Sequence, residues 1–336
     1  MKIDGGLFGA MESTKDQIVK LEREGFDGAI AAEIVGDPCL PLLLAAEHSE
    51  KIELMTAIAV AFARNPMTMA NMGHDLNAFS QGRFILGLGS QIKPHIERRF
   101  SMPWSRPAAR MREFILAMRA IWDGWYESKP LDFRGEFYSH TLMTPMFTPQ
   151  NTQHGAPRVF LAAVGPKMTE VAGEVADGLI AHGFTTKRYM HEVTLPALVR
   201  GLEKGGRDRR DFEVACPVFV VTGADEAEKE ASRQAACQQL AFYGSTPTYR
   251  PVLELHGWGD VGRELTGLSK RGEWVKMGTL IDDEMLDAFA IVAEPDDVAQ
   301  RLVERFGGTI DRVASTFRFV SEAQQKSAIE TLHGAS

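Results

Sequence analysis

The feature that most constrains the fold is an eightfold alternation of two hydrophobic patterns along the chain. Short apolar runs are each followed by a segment in which apolar residues recur with helical spacing. This alternation is typical of β/α units around a parallel sheet, because the chain must cross back before the next parallel strand can start. The predicted strands are residues 3–8, 28–32, 52–61, 83–88, 159–163, 178–182, 214–221 and 312–317.

The predicted helices lie between these strands. The clearest is 107–125, in which Met111, Phe114, Ile115, Met118 and Trp122 form one apolar stripe. The others are residues 16–23, 41–48, 66–79, 166–175, 187–203, 225–240, 295–306 and 322–332. Because no linker rich in proline, glycine or serine interrupts the units, they favour a single α/β domain over residues 1–336, a closed (β/α)8 TIM barrel, rather than two separate domains.

Two stretches exceed what a barrel needs, and we expect them to be insertions. The first, about 127–156, follows the fourth helix and carries several prolines and glycines with little periodicity, which predicts irregular or short β-structure. The second, about 243–290, follows the seventh strand and contains helix-like pieces at 249–258, 261–271 and 282–287. Long segments of this kind in compact domains are often functional lids.

Composition and charge narrow the range of partners and compartments. A net charge of −8 and a pI near 5.7 argue against nucleic acid or an anionic membrane as the main partner. Three cysteines without a CxxC pair argue against a disulfide framework or a structural zinc site. The N-terminus shows no long apolar core of a signal peptide, and the longest nearly apolar run, 54–63, is too short to span a bilayer. We therefore expect a cytoplasmic protein.

The stretch 157–180 contains a strand-to-helix turn that can hold a phosphate. An apolar strand ends at Gly165, and Pro166 suits the first position of the following helix, where its missing N–H would be unbonded anyway. A helix N-terminus directly after a strand offers free backbone N–H groups and the positive end of the helix dipole. The alternative is that Gly165-Pro166 is only a tight turn between strand and helix.

Residues that directly follow the strands are the candidates for chemistry, because barrel active sites lie at the C-terminal ends of the strands. Glu33 follows the second strand, where it could transfer a proton or orient a cofactor, or could be a capping or salt-bridged acid. His182 ends the sixth strand and could face a ligand or be a satisfied, partly buried histidine. The chain lacks HxH, HxxxH, HExxH and G-x-S-x-G patterns, which argues against a barrel metallohydrolase or a serine nucleophile elbow.

Several motifs in order resemble those of the luciferase-like monooxygenase superfamily, specifically its coenzyme F420-dependent branch. They are RNP at 64–66, SQGRFILGLGS at 80–90, RMREFILAMRAIW at 110–122, AAVGPKM at 162–168 and ADG at 176–178. The similarity covers residues 3 to about 204 and resumes over 291–317, and it leaves out the second insertion. It favours cofactor binding over a simple turn at Gly165.

The resemblance implies a hydride-transferring enzyme with a deazaflavin or flavin. In similar proteins the third strand carries a bulge with a non-prolyl cis peptide behind the cofactor ring, and the matching pair is Ala57 and Ile58. Glu33 falls where F420 enzymes commonly carry an acidic residue, which makes it the catalytic candidate. The residues expected to bind the cofactor are Ala57, Ile58, Ser90, Gln91, Ala163, Val164, Gly165, Pro166, Lys167, Met168 and His182.

Two positions depart from the pattern of some relatives. Ile34 stands where some carry a histidine that assists the chemistry, and Ile92-Lys93 stands where some carry a glutamate acid. The expected function is therefore an F420-dependent oxidoreductase with an unidentified small organic substrate. The alternatives are an FMN-dependent monooxygenase and a non-catalytic flavin-binding barrel. By analogy with the family, a homodimer is expected.

Overall fold

The computed structural model describes residues 1–314 and 321–335. Its strands, numbered in chain order, are β1 Lys2–Gly6, β2 Gly28–Ala31, β3 Glu53–Thr56, β4 Ala59–Val60, β5 Phe84–Gly89, β6 Phe133–Arg134, β7 Ser139–His140, β8 Arg158–Ala163, β9 Gly178–Ala181, β10 Glu213–Pro217, β11 Phe219–Val221, β12 Ala290–Val292 and β13 Arg312–Ala314.

Fifteen α-helices accompany these strands in the described chain. They are α1 Thr14–Arg23, α2 Cys39–Glu47, α3 Pro66–Phe79, α4 Lys93–Arg98, α5 Pro107–Tyr126, α6 Pro166–Val175, α7 Lys187–Tyr189, α8 Leu195–Gly205, α9 Glu226–Gly244, α10 Arg250–Leu255, α11 Gly259–Arg271, α12 Trp274–Gly278, α13 Asp283–Phe289, α14 Val298–Phe306 and α15 Glu322–Gly334. A π-helical turn, Met190–Thr194, joins α7 to α8. Short 3-10 turns lie at Met11–Ser13, Ala61–Ala63, Pro145–Phe147, Arg209–Asp211, Pro247–Tyr249 and Pro295–Asp297.

The alternation of strands and helices confirms the α/β class and the (β/α)8 TIM barrel. The eight predicted strands correspond to β1, β2, β3 with β4, β5, β8, β9, β10 and β13, which share one sheet. Residues 315–317 of the last predicted strand lie outside the described residues. The short elements α4, α12 and β12 were not expected, because each is too brief to show a periodic pattern.

Local signals explain why the helices begin where they do. Pro66 opens α3, and the preceding Asn65 accepts a hydrogen bond from Thr68 N–H at 3.0 Å while Thr68 Oγ1 accepts one from Asn65 N–H at 3.4 Å. This reciprocal capping satisfies N–H groups that the first turn leaves open. Pro107 and Pro166 open α5 and α6 in the same manner. The apolar stripe predicted for 107–125 is fully buried in α5.

The chain divides into two compact units. The larger unit comprises residues 6–180 and 197–213, and the smaller unit comprises residues 1–5, 181–196 and 214–336. In the larger unit β3 lies between β2 and β5, and β5 pairs with β8, all in parallel. In the smaller unit β13 lies between β1 and β10, also in parallel. A single domain over residues 1–336 stays a prediction.

The predicted strand 214–221 is two strands with different partners. Strand β10 ends at Pro217, which has no N–H to continue the ladder. Strand β11 then pairs in parallel with β12, with Phe219 opposite Ala290 and Val221 opposite Val292. The second insertion therefore ends in a separate two-stranded sheet with β11, through a strand that the sequence pattern had not indicated.

Both insertions have structure of their own. Residues 127–156 contain the antiparallel pair β6 and β7, with Phe133 opposite His140. Residues 243–290 contain α10 to α13, which bury Leu253, Leu265 and Met277 against Leu240 of α9. No helix in residues 1–314 or 321–335 combines the length and apolarity that a membrane crossing needs.

Candidate functional site

The third barrel strand contains a bulge at the position that the resemblance implied. On one side of the break Leu54 pairs with Phe84 and Met55 with Ile85, and on the other side Ala59 pairs with Leu88. Residues 56–58 therefore stand opposite only residues 86–87, so one extra residue is inserted in this strand. The peptide bond between Ala57 and Ile58 is cis. The predicted strand 52–61 is accordingly split into β3 and β4.

The neighbouring strand is shaped to accept this bulge. Thr56 Oγ1 donates to the carbonyl of Gly87 at 2.8 Å and accepts from the N–H of Gly87 at 2.9 Å, in place of ladder hydrogen bonds. A Cβ on Gly87 would lie 1.8 Å from the carbonyl oxygen of Thr56, and one on Gly89 would lie 2.8 Å from the side chain of Ile58. Strand β5 thus needs glycine at both positions to leave room for the bulge.

Glu33 holds the bulge from the second strand. Its N–H donates to the carbonyl of Ile58 at 3.2 Å, and its Oε2 accepts from the N–H of Val60 at 2.8 Å. Arg64 Nη1 donates to the same Oε2 at 2.7 Å, and only 7% of the Glu33 side chain is exposed. Glu33 is therefore a salt-bridged acid, which is one of the alternatives that the sequence left open. No hydrogen bond in the described chain uses Oε1 of Glu33.

Arg64 links Glu33 to a second carboxylate. Its Nη2 donates to Asp37 Oδ2 at 2.7 Å, and Asp37 Oδ1 accepts from the N–H of Cys39 at 2.9 Å. Burial acts to raise the pKa of Asp37, but the hydrogen bonds from Cys39 and Arg64 outweigh it and hold that pKa below its ordinary value. Burial likewise acts to lower the pKa of Arg64, but its bonds to Glu33 and Asp37 raise it. This three-residue network was missed from the sequence, although Arg64 belongs to one of the motifs.

The loop after β5 places Ser90 and Gln91 at the same edge of the sheet. Gln91 has a positive φ of 57°, which is uncommon for a residue other than glycine. Its Oε1 accepts from the N–H of Ile92 at 2.9 Å, and Ser90 Oγ donates to the carbonyl of Gln91 at 3.1 Å. The side-chain hydrogen bonds of Ser90 and Gln91 both stay within this loop.

The turn between β8 and α6 is open at Gly165. Gly165 has φ −93° and ψ 158°, an extended conformation that any residue can adopt, and a Cβ there would meet nothing within 4 Å. Neither packing nor backbone geometry therefore requires glycine. The N–H groups of Gly165 and Lys167 donate no hydrogen bond within the described residues. The turn offers free donors beside an empty volume, which fits a phosphate.

These predicted residues share one edge of the larger unit. Strands β2, β3, β5 and β8 are neighbours and run in parallel, so their C-terminal ends lie on the same side. The residues at that side include Glu33, the Ala57–Ile58 bulge, Ser90 and Gln91, and Ala163 to Met168. The structure thereby brings together all of the predicted cofactor-binding residues except His182, which belongs to the smaller unit.

His182 lies in an aromatic cluster of the smaller unit. Its ring stacks on Tyr249 with centroids 4.5 Å apart and meets Tyr243 edge-on at 4.7 Å. The N–H of Phe184 donates to His182 Nδ1 at 2.9 Å. Burial lowers the pKa of His182 to about 4. The imidazole is therefore neutral near pH 7, and the contribution of Tyr243 was not foreseen from the sequence.

A cavity of about 600 Å³ lies at the opposite ends of β3 and β5. Arg83, which lines it, donates from Nη1 to Ser49 Oγ at 2.9 Å and to the carbonyl of Ile52 at 3.0 Å. The guanidinium is thus used to hold the loops that precede these strands. Since barrel chemistry occurs at the other end, we attach no site to this cavity. Among residues 1–314 and 321–335, no three His, Cys, Asp or Glu side chains are grouped as metal ligands.

Comparison with known sequences gives one family match and several relatives. Residues 4–312 match the family model described as luciferase-like monooxygenase. An uncharacterized protein of Mycobacterium tuberculosis is 57% identical over 330 residues, which covers 98% of this chain and 97% of that protein. The 5,10-methylenetetrahydromethanopterin reductase of Archaeoglobus fulgidus is 29% identical over 270 residues, 78% of this chain and 76% of the reductase.

Several solved structures share the fold. The coenzyme F420-dependent tetrahydromethanopterin reductase from Methanopyrus kandleri superposes with a TM-score of 0.78 at 21% identity, covering 98% of this chain and 96% of that one. The oxygenating constituent of 3,6-diketocamphane monooxygenase from Pseudomonas putida, in complex with FMN, gives a TM-score of 0.67 at 16% identity, with 99% and 97% covered.

Proposed function

The chain belongs to the luciferase-like monooxygenase family, and from that premise we propose that it is an F420-dependent oxidoreductase, transferring a hydride between the deazaflavin and a small organic substrate. The proposal rests on one observation: the Ala57–Ile58 bulge and the open turn at Gly165 both lie at the same edge of four adjacent parallel strands. One feature fits a flat ring and the other fits a phosphate.

Each part of the site has a proposed role in holding the cofactor. The bulge supports the back of the ring, and the Glu33–Arg64 pair fixes the bulge. Ser90 and Gln91 contact the cofactor side chain. The N–H groups around Gly165, with the charge of Lys167, bind the phosphate, because unpaired N–H groups at a helix N-terminus favour an anion.

When bound, F420 supplies a two-electron hydride carrier at C5 of its deazaflavin ring. The protein's own contribution is to orient the ring against the bulge and to exclude water from its exposed face. Glu33 stays the catalytic candidate of the proposal, with Oε1 as the atom that could hold or move a proton. Its Oε2 is already used by Arg64 and Val60.

Two similar reductases support the proposal of F420. The reductase of Archaeoglobus fulgidus is similar over most of its length, and the Methanopyrus kandleri enzyme with the same fold is described as F420-dependent. An FMN-dependent monooxygenase is the second candidate, because the Pseudomonas putida neighbour with the same fold contains FMN. The third alternative is a barrel that binds a flavin without catalysis.

A pair of titrations discriminates these functions. Purified protein is titrated with F420 and separately with FMN, and the fluorescence of each cofactor is followed. We expect saturable binding of F420 and none of FMN. Binding of FMN alone would favour the monooxygenase, and binding of neither would refute the proposal. A change in the absorbance of F420 at 420 nm when any member of a substrate panel is added would show turnover and exclude the non-catalytic alternative.

Two further expectations are part of the proposal. The protein would act in the cytoplasm, which its three buried cysteines without a disulfide support. It would form a homodimer, for which α2 offers a surface: Leu40, Leu43 and Leu44 lie on one face of the helix and are 49%, 42% and 37% exposed.

A further inference from the structure

One arginine is shared between two carboxylates beside the bulge of the third strand. Arg64 Nη1 donates to Glu33 Oε2 at 2.7 Å, and Arg64 Nη2 donates to Asp37 Oδ2 at 2.7 Å. Nη1 also donates to the carbonyl of Val60 at 3.1 Å. All four residues belong to the larger unit. The guanidinium is therefore divided between the two carboxylates, with one nitrogen for each.

This arrangement leaves one oxygen of Glu33 without a donor. An arginine and a carboxylate frequently pair through two parallel N–H···O bonds, one to each oxygen, and this double bond is the stronger geometry. Here Glu33 instead uses a single oxygen, Oε2, for both Arg64 and the N–H of Val60. Its Oε1 forms no hydrogen bond with the described residues and is not closed off from solvent.

A second arginine of the larger unit shows the contrast. Arg210 closes both bonds on one carboxylate, with Nε 3.1 Å from Asp208 Oδ1 and Nη2 2.7 Å from Asp208 Oδ2. Both oxygens of that carboxylate are therefore occupied by the same guanidinium. At Glu33 the second nitrogen of Arg64 is bonded elsewhere, and this difference is what keeps Oε1 unoccupied.

Asp37 is itself fixed in place and charged. Its Oδ1 accepts from the N–H of Cys39 at 2.9 Å while its Oδ2 accepts from Arg64. Burial acts to raise the pKa of Asp37, but these hydrogen bonds hold it below its ordinary value, so the carboxyl is ionised at neutral pH. Burial, together with the charge of Asp37, raises the pKa of the Cys39 thiol to about 12, so Cys39 adds no charge.

The contacts indicate what Arg64 would do without the charge of Asp37. Only 20% of the Arg64 side chain is exposed, so a cationic N–H group that loses its acceptor there is costly unless it finds another. The free oxygen of the carboxylate already bonded to Nη1 is such an acceptor. A shift of Nη2 from Asp37 to Glu33 Oε1 would complete the double-bonded geometry and occupy that oxygen.

We infer that Asp37 is a positioning residue: by holding Arg64 Nη2, it keeps Oε1 of Glu33 free to hold or move a proton. This inference rests on the proposed function, because it takes Glu33 to be the residue that exchanges this proton. A neutral substrate that gives up a hydride and leaves as a neutral product must also lose one proton, and the reverse reaction takes one up. Asp37 itself touches neither substrate nor cofactor in this assignment.

The first part of the test compares crystal structures of the wild type and Asp37→Asn, both without cofactor. The asparagine side chain keeps an oxygen for the N–H of Cys39 and turns an NH2 group, which is not an acceptor, toward Arg64. Arg64 Nη2 should then lie about 3 Å from Glu33 Oε1. Asp37→Ser, which also removes the charge, should give the same contact and excludes an effect of the amide alone.

The second part measures turnover with a substrate that the panel described above shows to change F420. Asp37→Asn should lower kcat about tenfold or more, as for impaired proton transfer, and leave KM and the Kd for F420 within about twofold. Asp37→Glu restores an ionised acceptor for Arg64 and should recover most of kcat. Asp123→Asn, which removes an exposed partner of Lys129 in the same unit, is the matched control and should change none of these values. The melting temperature of each variant checks that the fold is retained.

Three results would overturn the inference. A structure of Asp37→Asn in which Glu33 Oε1 stays without a donor would show that Asp37 does not control this oxygen. An unchanged kcat in that variant would show that the free oxygen is not needed for turnover. Loss of F420 affinity in parallel with kcat would assign Asp37 to the support of the bulge instead. Absence of F420 binding by the wild type would refute the proposed function, and the crystal structures would still decide whether Asp37 sets the position of Arg64.

Discussion

Glu33 Oε2 and Arg64 Nη1 lie 2.7 Å apart and form an ion pair directly beside the bulge of the third strand. The same oxygen accepts from Val60 N–H, and the backbone N–H of Glu33 donates to Ile58. Glu33, which follows the second strand, therefore binds the backbone at two points directly after the cis peptide. This arrangement agrees with the proposed role of Glu33, which is to fix the bulge behind the cofactor ring.

Replacement of Glu33 should affect both stability and cofactor binding. Glu33→Gln keeps an acceptor for Val60 but leaves the mostly buried charge of Arg64 with only Asp37. We expect the free energy of unfolding to fall by about 2 kcal/mol, since removal of one partner of a buried pair is costly. Urea unfolding and F420 titration measure the two effects. Glu192→Gln, which breaks an exposed pair with Arg188, is the control and should change stability by less than about 0.5 kcal/mol.

Gly165→Val should weaken F420 binding without weakening the fold. A Cβ at Gly165 meets nothing within 4 Å, and the backbone angles suit any residue. The branched side chain would fill the volume that we assign to the phosphate, so the Kd should rise more than tenfold while the melting temperature stays the same or rises slightly. Gly165→Ala should give an intermediate Kd. Equal loss of stability and affinity would contradict the assignment.

Gly87→Ala, by contrast, should weaken the fold. Its Cβ would lie 1.8 Å from the carbonyl oxygen of Thr56, which belongs to the backbone and cannot rotate away. We expect a loss of about 3 kcal/mol or more in the free energy of unfolding, by the overpacking of a filled interior. Chemical denaturation tests this value, and Gly36→Ala, where a Cβ meets nothing within 4 Å, provides the control. A stable Gly87→Ala protein would mean that the two strands can separate at the bulge.

The pKa of His182 predicts a specific pH dependence of stability. Above pH 6.5 the ring is neutral in both the folded and the unfolded chain, so it contributes no slope. Between about pH 6.5 and about pH 4 the unfolded chain binds a proton that the folded chain does not, because burial lowers the folded pKa to about 4. The free energy of unfolding should therefore decrease as the pH falls through this window. His182→Phe should remove that part of the slope, and an unchanged slope would show that His182 is protonated in the folded state.

The exposed leucines of α2 allow a test of the homodimer. Leu43→Lys places a charge on a face that includes Leu40 and Leu44, and a charge buried in an apolar interface is strongly unfavourable. If α2 forms the interface, sedimentation equilibrium should show a dimer for the wild type and a monomer for this variant. Val275→Lys, at an 86% exposed position of α12, should leave the mass unchanged. A monomeric wild type would refute the prediction of a homodimer.

The sequence by itself determined the order of the strands and helices and the positions of the main turns. These features depend on local properties: the period of apolar residues, the proline at Pro66, Pro107 and Pro166, and the capping side chain of Asn65. The resemblance to a known family added the position of the cis peptide, which no periodicity could indicate. The brief elements α4 and β12 escaped prediction because they are shorter than the patterns on which such prediction rests.

Only the tertiary structure decided which polar groups are occupied and which remain free. Glu33 and Arg64 are 31 residues apart, and their pairing follows from the meeting of two strand ends. The sequence does not distinguish His182 from His256. In the structure, Nε2 of His256 is hydrogen-bonded to Thr186, whereas Nε2 of His182, whose ring packs on Tyr243 and Tyr249, forms no hydrogen bond within the described residues. Gly165 and Gly87 are likewise both glycines in or next to a strand. A Cβ added at Gly165 would meet nothing within 4 Å, whereas one added at Gly87 would overlap the carbonyl oxygen of Thr56. Contacts between distant segments set these differences, because hydrogen bonding and steric exclusion act through space rather than along the chain.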